Sequence, residues 1–180
     1  MDPRRAIAYL KPHVTGSGAA DLTLSEADAP VLREFCEGLL VAYVQDRGDV
    51  LEFVSERDLQ AAGISGEELH RHAVVNLATA LQEGGLQVQP YGAIFAVIAG
   101  GNFEASTMAL PSLWEQSFRP FVEGDYLVAA PARDVLAFGQ ADDPAVEQAL
   151  RELVGRLWPD QGAHLLSDRL YRWSGDWTLA

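Results

Sequence analysis

Residues 39–59 read LLVAYVQDRGDVLEFVSERDL, and their order decides the fold. From Leu39 to Val44 the side chains are apolar without a break, with β-branched and aromatic residues among them, as in a strand covered on both faces. Asp46-Arg47-Gly48-Asp49 supplies a turn and Val50 to Val54 returns, so a hairpin is expected. Ser55 then opens a helix: Asp58 stands three residues on, and Val54 and Leu59 occupy the two positions of a hydrophobic staple. Gly63 ends it.

The same alternation continues downstream. Ser65 and Glu68 form a capping box for a second helix whose buried stripe is Leu69, Ala73, Leu77, Ala80 and Leu81, and Gly84-Gly85 stops it. Leu86 to Tyr91 and Ala93 to Ala99 read as a strand pair. The turn Gly100-Gly101-Asn102 leads to a helical stretch, Phe103 to Leu110, and then to a turn carrying Leu113, Trp114 and Phe118. Tyr126 to Ala130 pairs with Asp134 to Phe138. Asp143 caps a last helix with Pro144 at its first position and Val146, Leu150, Leu153, Val154 and Leu157 on one face. Leu170 to Trp173 and Trp177 to Leu179 close the chain as a hairpin. Upstream, Pro30 introduces a short helix over Val31, Leu32, Phe35 and Cys36. Residues 1–30 read as an accessory arm, with a short amphipathic helix at Ala6, Ile7 and Leu10 broken by Thr15-Gly16-Ser17-Gly18. Hairpins alternating with helices make the class α+β, a mainly antiparallel sheet covered by helices, formed as a single domain over residues 31–180.

Composition narrows the partners. With 180 residues and 48% hydrophobic content, the chain can bury a real core. A net charge of −13 points away from nucleic acid and anionic membrane, which require clustered positive charge, and toward a basic partner. No stretch approaches the roughly 20 apolar residues of a membrane helix. Cys36 is the only cysteine, so no intrachain disulfide can form, and the cytoplasm is the default compartment.

The residues of catalysis do not assemble into a set. There is no G-x-S-x-G turn, no H-E-x-x-H and no calcium-hand spacing, so neither a catalytic residue, a metal nor a cofactor is expected. His70 and His72 fall two positions apart on one helix, pointing to opposite sides, and read as solvated. Asp142-Asp143 reads as helix capping, and Gly16-Ser17-Gly18 as a flexible loop. Three segments remain. In Gly100 to Ser106, glycines after a strand and amides opening a helix can cradle an anion, although Glu104 places a carboxylate in the same turn; Asn102 and Ser106 complete this group. Arg133-Asp134 sits where a strand pair turns, as a salt bridge or as an arginine docking a partner's carboxylate. The tail, Ser167 to Trp173, alternates polar and apolar residues like a half-buried edge strand, and Arg169, Arg172 and Trp173 are the residue types of interface hot spots.

Leu40-Val41-Ala42-Tyr43-Val44, Asn76-Leu77, Gly101-Asn102-Phe103-Glu104-Ala105-Ser106, Leu113-Trp114, Ala130-Pro131-Ala132-Arg133-Asp134 and Ser167 to Trp173 occur in that order. Together they resemble the YtpQ-type family of uncharacterised bacterial proteins over residues 39 to 177. The resemblance implies a bacterial cytoplasmic origin; it brings no activity and no catalytic residues, and family members are usually longer at the amino terminus. The expected function is therefore a non-enzymatic protein-binding module, adaptor-like, chaperone-like or immunity-like. The alternative is a small-molecule-binding protein or unusual hydrolase with a pocket around the Gly100–Ser106 and Arg133–Asp134 turns. A homodimer through the tail strand is a third expectation.

Overall fold

The computed structural model describes residues 1–13, 25–48, 50–158 and 164–180. The loop expected at Thr15 to Gly18, and Asp49 of the hairpin turn, lie outside them. The fold is α+β, with two antiparallel sheets, and it divides into two compact units, Met1–Thr79 and Ala80–Ala180. No described helix is long and apolar enough to cross a membrane.

The first unit is built around β3 (Leu39–Asp46), the uninterrupted apolar run. Val41, Ala42, Tyr43 and Val44 are all almost completely buried, as a strand covered on both faces requires. On one side β3 pairs with β1 (Ile7–Pro12), and on the other with β2 (Leu32–Cys36) and β4 (Leu51–Phe53) in succession, since Ala42 lies opposite both Tyr9 and Leu32, and Val44 opposite both Ile7 and Phe53.

Two expected helices are strands here. The residues Ala6, Ile7 and Leu10 fit a helical face, and so do Val31, Leu32, Phe35 and Cys36. Runs this short cannot sustain a helix alone. The exposed backbone edges of β3 offer each a full hydrogen-bond ladder instead. Gly38, at φ 82°, makes the tight turn from Cys36 to Leu39. Residues 7–12 are thus an integral strand and not the helix of an arm, and Leu32, expected inside, is 51% exposed.

The helices that follow start where the sequence places them. In α1 (Glu56–Ala62) Ser55 and Asp58 cap each other reciprocally, and Gly63 ends the helix at φ 62°. Ser65 and Glu68 repeat the box at α2 (Gly66–Glu83), which crosses from the first unit into the second. Leu69, Ala73 and Leu77 are fully buried. Asn76 donates to the carbonyls of Arg4 and Ala6 at 2.9 and 2.8 Å, fixing the helix to the chain that enters β1. His70 was expected to be solvated; it is half-buried and hydrogen-bonded to the Tyr43 hydroxyl at 3.1 Å.

The second unit is a six-stranded sheet in the order β10-β9-β7-β8-β6-β5. Its strands are β5 (Gln87–Tyr91), β6 (Ile94–Ile98), β7 (Tyr126–Ala132), β8 (Val135–Gln140), β9 (Leu170–Trp173) and β10 (Trp177–Leu179). Alternation sorts the side chains onto two faces. One face, with Ile94, Leu127, Ala129, Ala137 and Leu170, receives Val146, Leu150 and Val154 of α3 (Pro144–Leu157), whose amino terminus is capped by Asp143. The other carries Phe95, Tyr126, Phe138, Tyr171, Trp173 and Trp177. The tail was expected at an edge, but β9 lies between β7 and β10, and Tyr171 and Trp173 are buried.

Two outcomes follow from this packing. A Cβ on Gly139 would meet Val146 Cγ1 at 2.6 Å, whereas one on Gly155 of α3 meets nothing within 4 Å. Gly139→Ala should therefore lower stability in urea unfolding by about 1–3 kcal/mol, and Gly155→Ala should raise it by up to about 1 kcal/mol. Burial, with a smaller contribution from Arg33, holds the His70 imidazole below its ordinary pKa, against the opposing pull of Glu67. The unfolded chain then takes up a proton near pH 6.5 that the folded chain refuses, so stability declines as pH falls below about 6.5. His70→Gln should flatten that slope in pH-dependent melting.

Candidate functional site

After β6 the chain reverses through Gly100 and Gly101, at φ 90° and 85°, a conformation that side chains with a Cβ rarely adopt. The reversal turns the amides of Ala99 and Gly101 inward, where they donate to Glu104 Oε1 at 2.9 and 2.7 Å. The anion cradle legible in this segment is thus filled by the chain's own carboxylate. Glu104 is only 3% exposed, and its second oxygen, Oε2, has no hydrogen-bond partner.

Glu104 leads into a 3-10 turn, Ala105–Ala109, in which every residue is buried, Ser106 and Thr107 included. A turn at this depth must have its carbonyls satisfied from within. Trp114 Nε1 donates to the Thr107 carbonyl and Trp177 Nε1 to that of Met108, each at 3.0 Å. Trp114 belongs to a single π-helical turn, Leu113–Ser117, and its own carbonyl accepts the Tyr126 hydroxyl at 2.7 Å. The indole meets Phe118, Tyr126 and Trp177 edge to face, with centroids about 5 Å apart.

The β7–β8 turn arrives at the same place. The Ala105 amide donates to the Arg133 carbonyl at 3.1 Å, so the residue that follows Glu104 is tied directly to Arg133. A register shift between Ala129 and Ala132 bends the strand just before this turn. From the other side, the Arg133 amide donates to the His164 carbonyl at 3.0 Å and the Leu166 amide to that of Pro131 at 2.9 Å. Arg133 is half-buried, and its Nε is buried with no partner. Glu104 Oε2 and Arg133 Nε are the two buried side-chain polar atoms left unpartnered among the described residues. Neither residue makes an ion pair there, so Arg133 and Asp134 form no salt bridge. Asp134 is exposed and Asn102 half-buried, both on these turns.

The tail residues do not join them as an exposed group. Trp173 is 5% exposed and packs against Trp177 at 5.0 Å. Arg172 points to the α3 face, where it bonds Asp125 through Nε and one terminal nitrogen at 3.0 and 2.8 Å, and Asp142 through both terminal nitrogens at 3.1 and 3.0 Å. Asp142, expected as a capping residue, is held at φ 67° and serves Arg172 instead. A cleft of about 300 Å³ opens beside this cluster, lined in part by Leu127, Glu147, Arg151 and Leu170, but both its arginines are already paired with carboxylates. Arg169 is exposed, and its amide donates to the Ser167 hydroxyl, which in turn meets the Tyr171 hydroxyl at 2.8 Å. The placement of residues 164–166 beside the Arg133 turn has no local signal, because it rests on pairing between residues 31 and 35 positions apart.

Among the described residues, no three His, Cys, Asp or Glu side chains converge as metal ligands. No family model, curated protein or solved structure matches the chain.

The two amides held by Glu104 Oε1 give the carboxylate a structural role. Glu104→Ala should destabilise the protein by about 2–4 kcal/mol in urea unfolding, since it strands buried donors. Glu104→Gln keeps an acceptor for both amides and should retain most of the stability.

Proposed function

We propose that this chain is a binding protein whose recognition site is the junction of the Gly100–Ser106 and Arg133–Asp134 turns, and that it takes a small polar molecule there. One observation carries this reading: a buried acceptor, Glu104 Oε2, and a buried donor, Arg133 Nε, are left unmade on two turns that share a hydrogen bond. Each such group costs about 1–3 kcal/mol when it has no partner. The surrounding polar groups are bonded with care, down to the carbonyls of a buried 3-10 turn, so two exceptions at one junction support a ligand that completes them. The protein-adaptor reading has less to rest on, because Trp173 lies in the core and the Arg172 guanidinium is occupied by Asp125 and Asp142.

Amide-resolved NMR tests the proposal. A mixture of the twenty amino acids, small carboxylic acids, polyamines and nucleosides is added to the labelled protein. Shifts are expected at the amides of Ala99, Gly101, Ala105, Arg133 and Leu166. A spectrum that does not move, or moves only within residues 1–79, would overturn the assignment of the site.

A further inference from the structure

We infer that two copies of this chain associate face to face through the β5–β6 hairpin, in a two-fold contact anchored by Tyr91 and Ile98. No Asp, Glu, Lys or Arg stands between Glu83 and Glu104, in a chain of which 22% is charged. The register of β5 on β6 places Tyr91 beside Ile94, Gln89 beside Ala96 and Gln87 beside Ile98. By alternation all six side chains lie on the face that receives α3, since Ile94 belongs to the core beneath that helix. The helix does not cover them all: Ile94 is buried, but Tyr91 is 61% and Ile98 44% exposed, and Gln87 and Gln89 are exposed as well. They form a strip about 13 Å long, measured from Tyr91 to Gln87. Glu147 and Arg151 of α3 line the cleft at Leu127 and Leu170, so the charged flank of the helix is turned toward β9. Helical spacing sets Ala149 and Leu153, half-buried against the same core, on the opposite flank, toward β6.

Sheet edges that stay single are ordinarily protected by charge, above all by lysine, and this hairpin has none. Its one protection is Pro90, which has no amide to give and makes the addition of a further strand to β5 poor. A partner therefore covers the face and does not extend the edge. Charge identifies that partner. A basic protein is drawn to carboxylates, and the strip offers none. A second copy carries the same −13, so most contacts through charged surface would set carboxylate against carboxylate. Across a two-fold axis a surface meets itself and must be self-complementary. The uncharged strip meets that requirement: Tyr91 and Ile98 have apolar surface to bury, and the Gln87 and Gln89 amides each supply both a donor and an acceptor. Six residues are fewer than the roughly 20–30 a side of a standard interface, so the dimer exchanges with monomer at a Kd on the order of 10 μM.

Sedimentation velocity of the full chain from about 1 to about 500 μM tests the inference, and a dimer mass is expected at the upper end. Tyr91→Glu and Ile98→Glu should each raise the dissociation constant at least about tenfold. Gln89→Glu, a near-isosteric change at an exposed position, keeps the test open if either of those variants fails to fold, and should weaken the dimer by setting like charges across the axis. Circular dichroism confirms folding. Val75→Glu, at a 65% exposed position of the first unit, should leave the dimer unchanged. Because the contact is uncharged and the copies repel, raising salt from about 50 to about 500 mM should tighten it. A chain that stays monomeric at about 500 μM, a dimer insensitive to substitutions in the strip, one that Val75→Glu dissociates, or one that salt weakens would overturn the inference.

Discussion

The hydrogen bond from the Trp114 indole to the Thr107 carbonyl is the constraint on which the second unit depends. The Thr107 carbonyl accepts the Leu110 amide as well, so the indole adds a second donor to a buried carbonyl and ties the 3-10 turn to the aromatic side of the sheet. The same indole packs edge to face against Phe118, Tyr126, Phe138 and Trp177, so the group that satisfies the turn also fills the space above the sheet. Tyr126 returns a hydrogen bond to the Trp114 carbonyl, which locks β7 to the π-helical turn. With that turn fixed, Glu104 has no freedom to swing into solvent, and its carboxylate is held against Ala99 and Gly101.

Satisfaction elsewhere is what gives two unmade groups their meaning. The helix starts are closed by reciprocal caps at Ser55 and Ser65, Arg172 is bonded on three nitrogens, and even the Ser167 and Tyr171 hydroxyls meet each other. The opposite face shows the same economy in packing: Gly139 is present because α3 brings Val146 into the space a side chain would occupy. Against that background a buried carboxylate oxygen and a buried guanidinium nitrogen without partners on adjoining turns are unusual.

Much of this was legible along the chain, and the reasons differ by element. The caps at Ser55, Ser65 and Asp143 were visible because capping is a matter of a few neighbouring residues, and the hairpins of β5–β6, β7–β8 and β9–β10 because their turns are short. The segments around Ile7 and Phe35 are strands where the pattern predicts helices, since five or six residues satisfy a helical and an alternating pattern equally well, and the partner strand makes the choice. Glu104, Ser106 and Arg133 stood out as chemistry in a turn. That Glu104 would occupy its own anion cradle, and that Arg172 and Trp173 would be spent on ion pairs and core packing, depended on neighbours far away in the chain.

What the amino-acid order determined by itself was the α+β class, the antiparallel hairpins and the starts of the helices, because hydrophobic period, cap chemistry and turn residues act within a few positions. What only the tertiary structure decided was which strand lies at an edge, which arginine is already paired and which two turns meet. Those outcomes come from long-range strand pairing and burial: the Ala105 amide reaches the Arg133 carbonyl across 28 positions, a contact that no local pattern encodes.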